Sequence, residues 1–248
     1  MAVIAIYNIK GGVGKTATSV NLAYMSAAAG KNTLLCDLDP QGSASYYFRV
    51  KARKKFSADK LLQGGRPVER SIRGTDYEQL DILPADFSFR NLDLSLNEMK
   101  KPEGRLSKIL APLHQEYDHL VLDCPPNITL LSENIFQAAD ILLIPFIPTT
   151  LSMLSFGKLL DFFKERKITR EKIYVLFSMV EQKKKMHQEI MSRFKDRKRV
   201  LNSFIPYVTD IEKMGIHRQP VPAFSPNSRA GKAYVGLWQE LEAYLPPR

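Results

Sequence analysis

Residues 8–19, NIKGGVGKTATS, gather three glycines and two lysines into one short loop directly after an apolar run. Gly11, Gly12 and Gly14 free the backbone to curl its N–H groups around an anion. A helix opening near Lys15 adds the positive end of its dipole. Lys15 then supplies a point charge for the β- and γ-phosphates of a nucleotide, and Thr16 a hydroxyl for Mg²⁺. The strict spacing G-x-x-x-x-G-K-[ST] fails at its first position, where Ile9 stands. One lysine in such a loop is accounted for by a phosphate; the second, Lys10, is left over. Further along, Asp37 and Asp39 stand two apart in NTLLCDLD, and Asp123 closes the run HLVLDC. Aspartates at i and i+2 of a strand share a face. Buried without a cation they would repel one another, so they suit a shared polar site.

The elements that must position these groups are short apolar runs alternating with helix-like segments. Strands are expected at 3–8, 32–39, 80–85, 119–124, 141–146 and 173–179. Helices are expected at about 16–29, 106–116, 129–139, 151–166, 185–198 and 228–245. In the last of these, Tyr234, Leu237, Trp238, Leu241 and Leu245 recur on one face, a stripe suited to core packing. This alternation predicts an α/β fold: a mostly parallel twisted sheet with helices on both faces. Ligands of such sheets bind at the carboxyl ends of the strands. The loop from Lys10 to Thr16, Asp37 with Asp39, and Asp123 all fall there. The stretch 49–79 is the least regular; it mixes the basic run RVKARKK with scattered glycines and reads as a surface excursion.

At 248 residues, with 44% hydrophobic residues, the chain is expected to form a single domain over 1–248. Its formal net charge of +10 favours an anionic partner. Cys36 and Cys124 belong to no Cys-x-x-Cys pair, so the sequence offers no zinc motif, and both are expected as buried, reduced thiols. The most apolar stretch, ADILLIPFIPTTLSMLSF, is interrupted by Pro145 and Pro148 and holds Asp140, which argues for a buried strand and helix over a membrane span. With no basic leader before the glycine loop, a cytoplasmic location is expected.

KGGVGKT, then LLCDLDPQGSAS, then HLVLDCPP resemble the deviant Walker A, A′ and B motifs of the ParA/MinD ATPases. The likeness covers most of the chain and is nearest to small ParA-type partition ATPases. It implies ATP and Mg²⁺ as cofactors. It implies nucleotide contacts from Lys10, Gly11, Gly12, Val13, Gly14, Lys15, Thr16 and Ala17, with Met179, Pro206 and Val208 closing over the base. It assigns Lys10, Lys15 and Asp39 to catalysis and Thr16, Asp37 and Asp123 to the metal. Asp39 would orient the attacking water, and Pro125–Pro126 would open a switch segment. Lys10, by the same resemblance, reaches across a homodimer to the partner's phosphates. There it would offset charge in a poorly hydrated interface and act as an arginine finger does.

The segment 183–199, KKKMHQEIMSRFKDRKR, is strongly basic, and Met186, Ile190 and Phe194 form an apolar stripe along it. Alone, it would suit DNA phosphates, an acidic membrane, or water. The resemblance implies nucleotide-dependent, non-specific DNA binding, with Lys195, Arg197, Lys198 and Arg199 as the contacts expected from charge and Lys213 and Arg218 as further candidates. It also implies a ParB-like adaptor protein that stimulates hydrolysis and a large cargo that is positioned or segregated. The alternative is a MinD-like ATPase on a membrane, which is disfavoured because the sequence ends at LPPR without a basic amphipathic extension.

Overall fold

The computed structural model describes residues 1–194 and 197–246. Its strands are β1 (Ala2–Ile6), β2 (Thr33–Asp37), β3 (Arg73–Gly74), β4 (Leu80–Leu83), β5 (His119–Asp123), β6 (Ile141–Phe146), β7 (Ile173–Val180) and β8 (Val200–Pro206). They form one sheet in the order β3-β4-β2-β5-β1-β6-β7-β8, parallel throughout except for the two-residue β3 against β4. The α-helices are α1 (Lys15–Ala28), α2 (Ser43–Tyr47), α3 (Ala58–Gln63), α4 (Arg66–Glu69), α5 (Leu92–Asn97), α6 (Arg105–Leu110) and α7 (Leu130–Ala138). They continue with α8 (Thr150–Glu165), α9 (Lys185–Phe194), α10 (Thr209–Glu212), α11 (Met214–His217), α12 (Val221–Phe224) and α13 (Arg229–Glu242). The α/β class and parallel sheet expected from the alternation are what the chain adopts.

The sheet is apolar on both sides because successive strand residues point to opposite faces. Val3, Ala5 and Tyr7 enter one core with α3, α5, α6, α7 and α8, whereas Ile4 and Ile6 enter the other with α1 and α13. Tyr234, Leu237, Trp238 and Leu241 are buried in that second core and Leu245 packs against it, as the stripe predicted. Cys36 and Cys124 are buried free thiols.

Two expectations need correction. The stretch 49–79 is only partly a surface excursion: Phe56, Ala58, Leu61, Leu62 and Val68 are buried in the first core. Helices this short show too few turns for a period to be read. The eighth strand was also not expected. Asn202 and Ser203 break its apolar pattern. The Glu240 carboxylate explains them, accepting the backbone N–H of Asn202 at 2.6 Å and of Ser203 at 2.7 Å.

A buried polar cluster sits at the opposite end of the sheet from the glycine loop. Ser26 Oγ lies 2.7 Å from Thr33 Oγ1 and 2.8 Å from His119 Nδ1. The imidazole packs edge-on to Trp238. Burial, with lesser help from Lys31 and the N-terminal amine, pushes the His119 pKa down to about 4 from 6.5. An unfolded chain therefore takes up a proton that the folded one refuses, and stability is lost as pH falls from 6.5 towards 4. His119→Gln is expected to flatten this acid-side loss. Melting temperatures of the two proteins across that window check it.

Candidate nucleotide site

The glycine loop joins the end of β1 to α1, and its first anchor is Asn8. The buried Asn8 side chain donates from Nδ2 to the Pro145 carbonyl at 2.7 Å, and its Oδ1 accepts the Lys10 N–H at 2.9 Å. The loop is thereby bolted to β6. Gly12 and Gly14 have φ of +71° and +88°, the left-handed region that glycine enters without steric cost. Lys15 is buried, and its Nζ donates to the Lys10 carbonyl at 3.2 Å. Burial lowers the Lys15 pKa, and the nearby Asp123 opposes that shift. The Lys10 main chain is thus fixed at both its N–H and its C=O, yet its ammonium makes no hydrogen bond or ion pair among the described residues.

Asp37 and Asp123 end adjacent strands and stand directly opposite each other in the β2/β5 ladder; neighbouring strands lie about 4.8 Å apart. Both side chains are fully buried. Ser19 donates its hydroxyl to Asp123 Oδ1 at 2.9 Å. Ser45 donates both its N–H, at 2.8 Å, and its hydroxyl, at 2.6 Å, to Asp37 Oδ2. That leaves Asp37 Oδ1 and Asp123 Oδ2 buried without a partner. Burial raises the pKa of both carboxyls; the Ser45 hydrogen bonds pull that of Asp37 back, while Asp37 adds to the rise at Asp123 and the Thr16 and Ser19 hydroxyls oppose it. Two buried acids with orphaned oxygens, and the Thr16 hydroxyl beside Asp123, fit a hard divalent cation. Mg²⁺ is commonly held by one or two carboxylates with phosphates and water completing its shell. No cluster of three or more His, Cys, Asp or Glu groups that could hold a metal occurs among the described residues. Asp39 is half-exposed just past β2, its Oδ1 accepting the Gln41 N–H at 2.9 Å.

The segment that follows β5 is tethered from below. Tyr7, wholly buried at the end of β1, donates its hydroxyl to the Asn127 carbonyl at 2.9 Å and packs edge-on to Phe136. Met179, at the end of β7, has φ of +53° and lies beside the loop: its Cε is 3.9 Å from where a Gly14 Cβ would stand. Pro206 pairs with Val180 and lines a cleft of about 410 Å³ between β8 and α13. Val208 packs against the second core. Of the three base-closing candidates, Met179 is the one seen beside Gly14. Asn8, Ser19, Ser45 and Ser178 were not expected; only Ser19, one turn beyond Lys15 and Thr16, had a sequence signal to find it by.

Gly14 cannot be replaced cheaply. An added Cβ would stand 3.0 Å from Ser178 Oγ, and a left-handed non-glycine residue costs roughly 1–2 kcal/mol besides. Gly14→Ala is expected to lower nucleotide affinity by at least ~tenfold, through ~1.4 kcal/mol or more of displaced loop geometry. Calorimetric titration checks this.

Among the basic candidates, Arg197 and Lys198 are exposed just beyond α9, with Arg197 over the Phe194 ring at 5.2 Å. Arg199 is half-buried and donates to the Glu171 carbonyl and, at 3.1 Å, to the Tyr174 hydroxyl. Lys195 lies outside the described residues. Ile190 and Phe194 are buried and Met186 packs beside them, as the stripe predicted. Lys213 is exposed; Arg218 donates to the Tyr46 carbonyl at 3.0 Å. No helix among the described residues is long and apolar enough to cross a membrane.

The chain is 31% identical over 248 residues to the sporulation initiation inhibitor protein Soj of Bacillus subtilis, covering 97% of this chain and 98% of Soj. Its fold matches a plasmid partition protein of Borrelia burgdorferi bound to AMPPNP, with TM-score 0.85, 22% identity and 98% of each chain covered. It also matches cobyrinic acid a,c-diamide synthase of Mycobacterium smegmatis with a bound ATP analogue and magnesium, with TM-score 0.81, 25% identity, and 98% of this chain and 95% of that one covered. A family model described as an AAA domain matches residues 1–176. Glycine loop, paired aspartates and these likenesses agree: the chain belongs to this AAA-domain family of P-loop ATPases, with the Soj and ParA-type proteins.

Proposed function

We propose that the chain folds as one domain over 1–248 and acts as a Mg²⁺-dependent ATPase switch. ATP brings two copies together, the dimer holds DNA without regard to sequence, and hydrolysis releases it. The output is the segregation or positioning of DNA or another large cargo, with a ParB-like adaptor stimulating turnover. The protein works in the cytoplasm, on the nucleoid while ATP is bound. The observation that carries this reading is Lys10: its backbone is clamped and its ammonium has no partner among the described residues.

The glycine loop, from Gly11 to Ala17, wraps the phosphates with backbone N–H groups. Lys15 offsets their charge from within the chain. Thr16, Asp37 and Asp123 hold Mg²⁺, which when bound neutralises charge on the phosphates. Ser45 and Ser19 fix the two carboxylates and leave one oxygen of each unpartnered, which would be free to hold the metal or its water. Asp39, at the half-exposed strand end, orients water toward the γ-phosphate. Met179, Pro206 and Val208 border the base. Lys10 reaches the partner's phosphates and stabilises charge on the group in transfer. Two copies joined this way double the phosphate contacts to DNA, so nucleotide sets DNA affinity. Arg197 and Lys198 are the exposed contacts in the 183–199 segment; Lys195 and Arg199 belong to the same basic surface.

The experiment is sedimentation of the protein with a duplex of unrelated sequence, in ATP and in ADP. Retention with ATP that weakens with ADP and falls steeply with salt is expected. Binding indifferent to nucleotide, or absent at low salt, would overturn the switch.

A further inference from the structure

The loop between α2 and α3 carries four cations in five residues: Lys51, Arg53, Lys54 and Lys55. All four are exposed, and none forms an ion pair or side-chain hydrogen bond among the described residues. The local acid Asp76 is already engaged by Arg49. In the 183–199 segment, by contrast, Arg199 is tied to Glu171 and Tyr174, while Arg197 and Lys198 are exposed.

The loop is held firmly. Phe48 and Phe56 are buried on either side of it, Ala52 is half-buried against the first core, and Phe56 donates its N–H to the Arg53 carbonyl at 2.9 Å. Four like charges on a fixed frame repel one another at a cost that a polyanion removes. The loop presents no exposed apolar side chain: Val50 and Ala52 are half-buried and Phe56 is inside. A membrane surface would call for an apolar face to insert, and a protein partner for a buried anchor. Charge without either suits a phosphate backbone.

We infer that Lys51, Arg53, Lys54 and Lys55 form a second DNA-backbone surface, separate from the 183–199 segment. It is joined to the nucleotide site by one short helix. Val50 at the loop's start donates its N–H to the Ser45 carbonyl at 3.1 Å, and Ser45 is the residue that grips Asp37. Ser45, in the middle of α2, therefore ties the start of the loop to the Asp37 carboxylate. This inference rests on the DNA-engaging reading above but not on its nucleotide dependence.

The test is a variant carrying Lys51→Gln, Arg53→Gln, Lys54→Gln and Lys55→Gln in the full chain. Its binding to an unrelated DNA duplex is followed by fluorescence anisotropy from 50 to 200 mM salt, with AMPPNP and without nucleotide. Each lost phosphate contact removes about 0.9 from the slope of log K against log salt, so the slope is expected to fall by about 2–4 and affinity at the low-salt end by ~tenfold or more. Basal ATP hydrolysis and melting temperature are expected to match the wild type. A single Lys54→Gln change, which no fold depends on, should lower the slope by about 0.9. An unchanged slope in both variants overturns the inference. So does loss of binding to phosphatidylglycerol vesicles with DNA binding intact, which would make the surface a membrane contact. Wild-type DNA binding that ignores nucleotide would sink the switch and leave the loop to be judged by the slope difference alone.

Discussion

Lys10→Ala is expected to leave nucleotide binding within about twofold of wild type, a ~0.4 kcal/mol change, while stimulated hydrolysis falls by roughly 10³-fold or more, the scale of a trans-acting arginine finger. The ATP-dependent dimer should be lost with it. The separation follows from the geometry. The Lys10 main chain holds the loop through Asn8 and Lys15, and alanine keeps that main chain. What alanine removes is an ammonium that makes no hydrogen bond or ion pair among the described residues. Lys15→Ala should behave oppositely. It deletes the buried cation beside Asp123, so nucleotide affinity itself should collapse and monomer be seen in every nucleotide state. Sedimentation velocity with AMPPNP, alongside calorimetric titration of the same samples, separates the two. A Lys10→Ala protein that still dimerised on ATP would remove the basis for the cross-protomer role.

Asp123→Asn should damage activity and improve stability at once. Hydrolysis with Mg²⁺ is expected to drop by ~10²-fold or more, since charge stabilisation at the transferring phosphoryl depends on the metal's position. The nucleotide-free fold should gain roughly 1–3 kcal/mol at pH 8, because a buried unsatisfied acid is costly. The amide also offers a donor to the orphaned Asp37 Oδ1 across the ladder. The pH dependence has a definite sign. Both carboxyls hold their protons above the ordinary aspartate value of 3.8, whereas the unfolded chain releases them there. Stability of the nucleotide-free wild type is therefore lost as pH rises through that value and onward until the buried pair ionises. The variant should lose less over the same range, and Mg²⁺ with nucleotide should restore the wild type. Urea unfolding of both proteins from pH 4 to pH 8 reads the difference. Equal slopes would mean that the pair is already compensated without metal.

The parts of the molecule that could be read from sequence are those whose chemistry is local. Strands buried on both faces appear as continuous apolar runs, and ILLIPF and IYVLFSM announce β6 and β7 in that way. A glycine loop feeding a helix carries its own spacing. The paired aspartates were visible because strand ends of a parallel sheet share one rim. What could not be read depends on partners distant in the chain. Ser19 meets Asp123 across 104 residues, Asn8 meets Pro145 across 137, and serine and asparagine are too common for such roles to be recognised in advance. The polar middle of β8 makes sense only with Glu240 in view. Charge behaved likewise: the sequence shows that 183–199 is basic, but that Arg199 turns inward to Tyr174 is a matter of packing.

The Glu240 clamp also bears on how copies of this chain can meet. By occupying two successive amides of β8, one carboxylate removes the free donors that an incoming strand would need. At the far border, β3 is only two residues long and runs against its neighbour, too little ladder to template another chain. Lateral accretion into ribbons is thus obstructed at both margins.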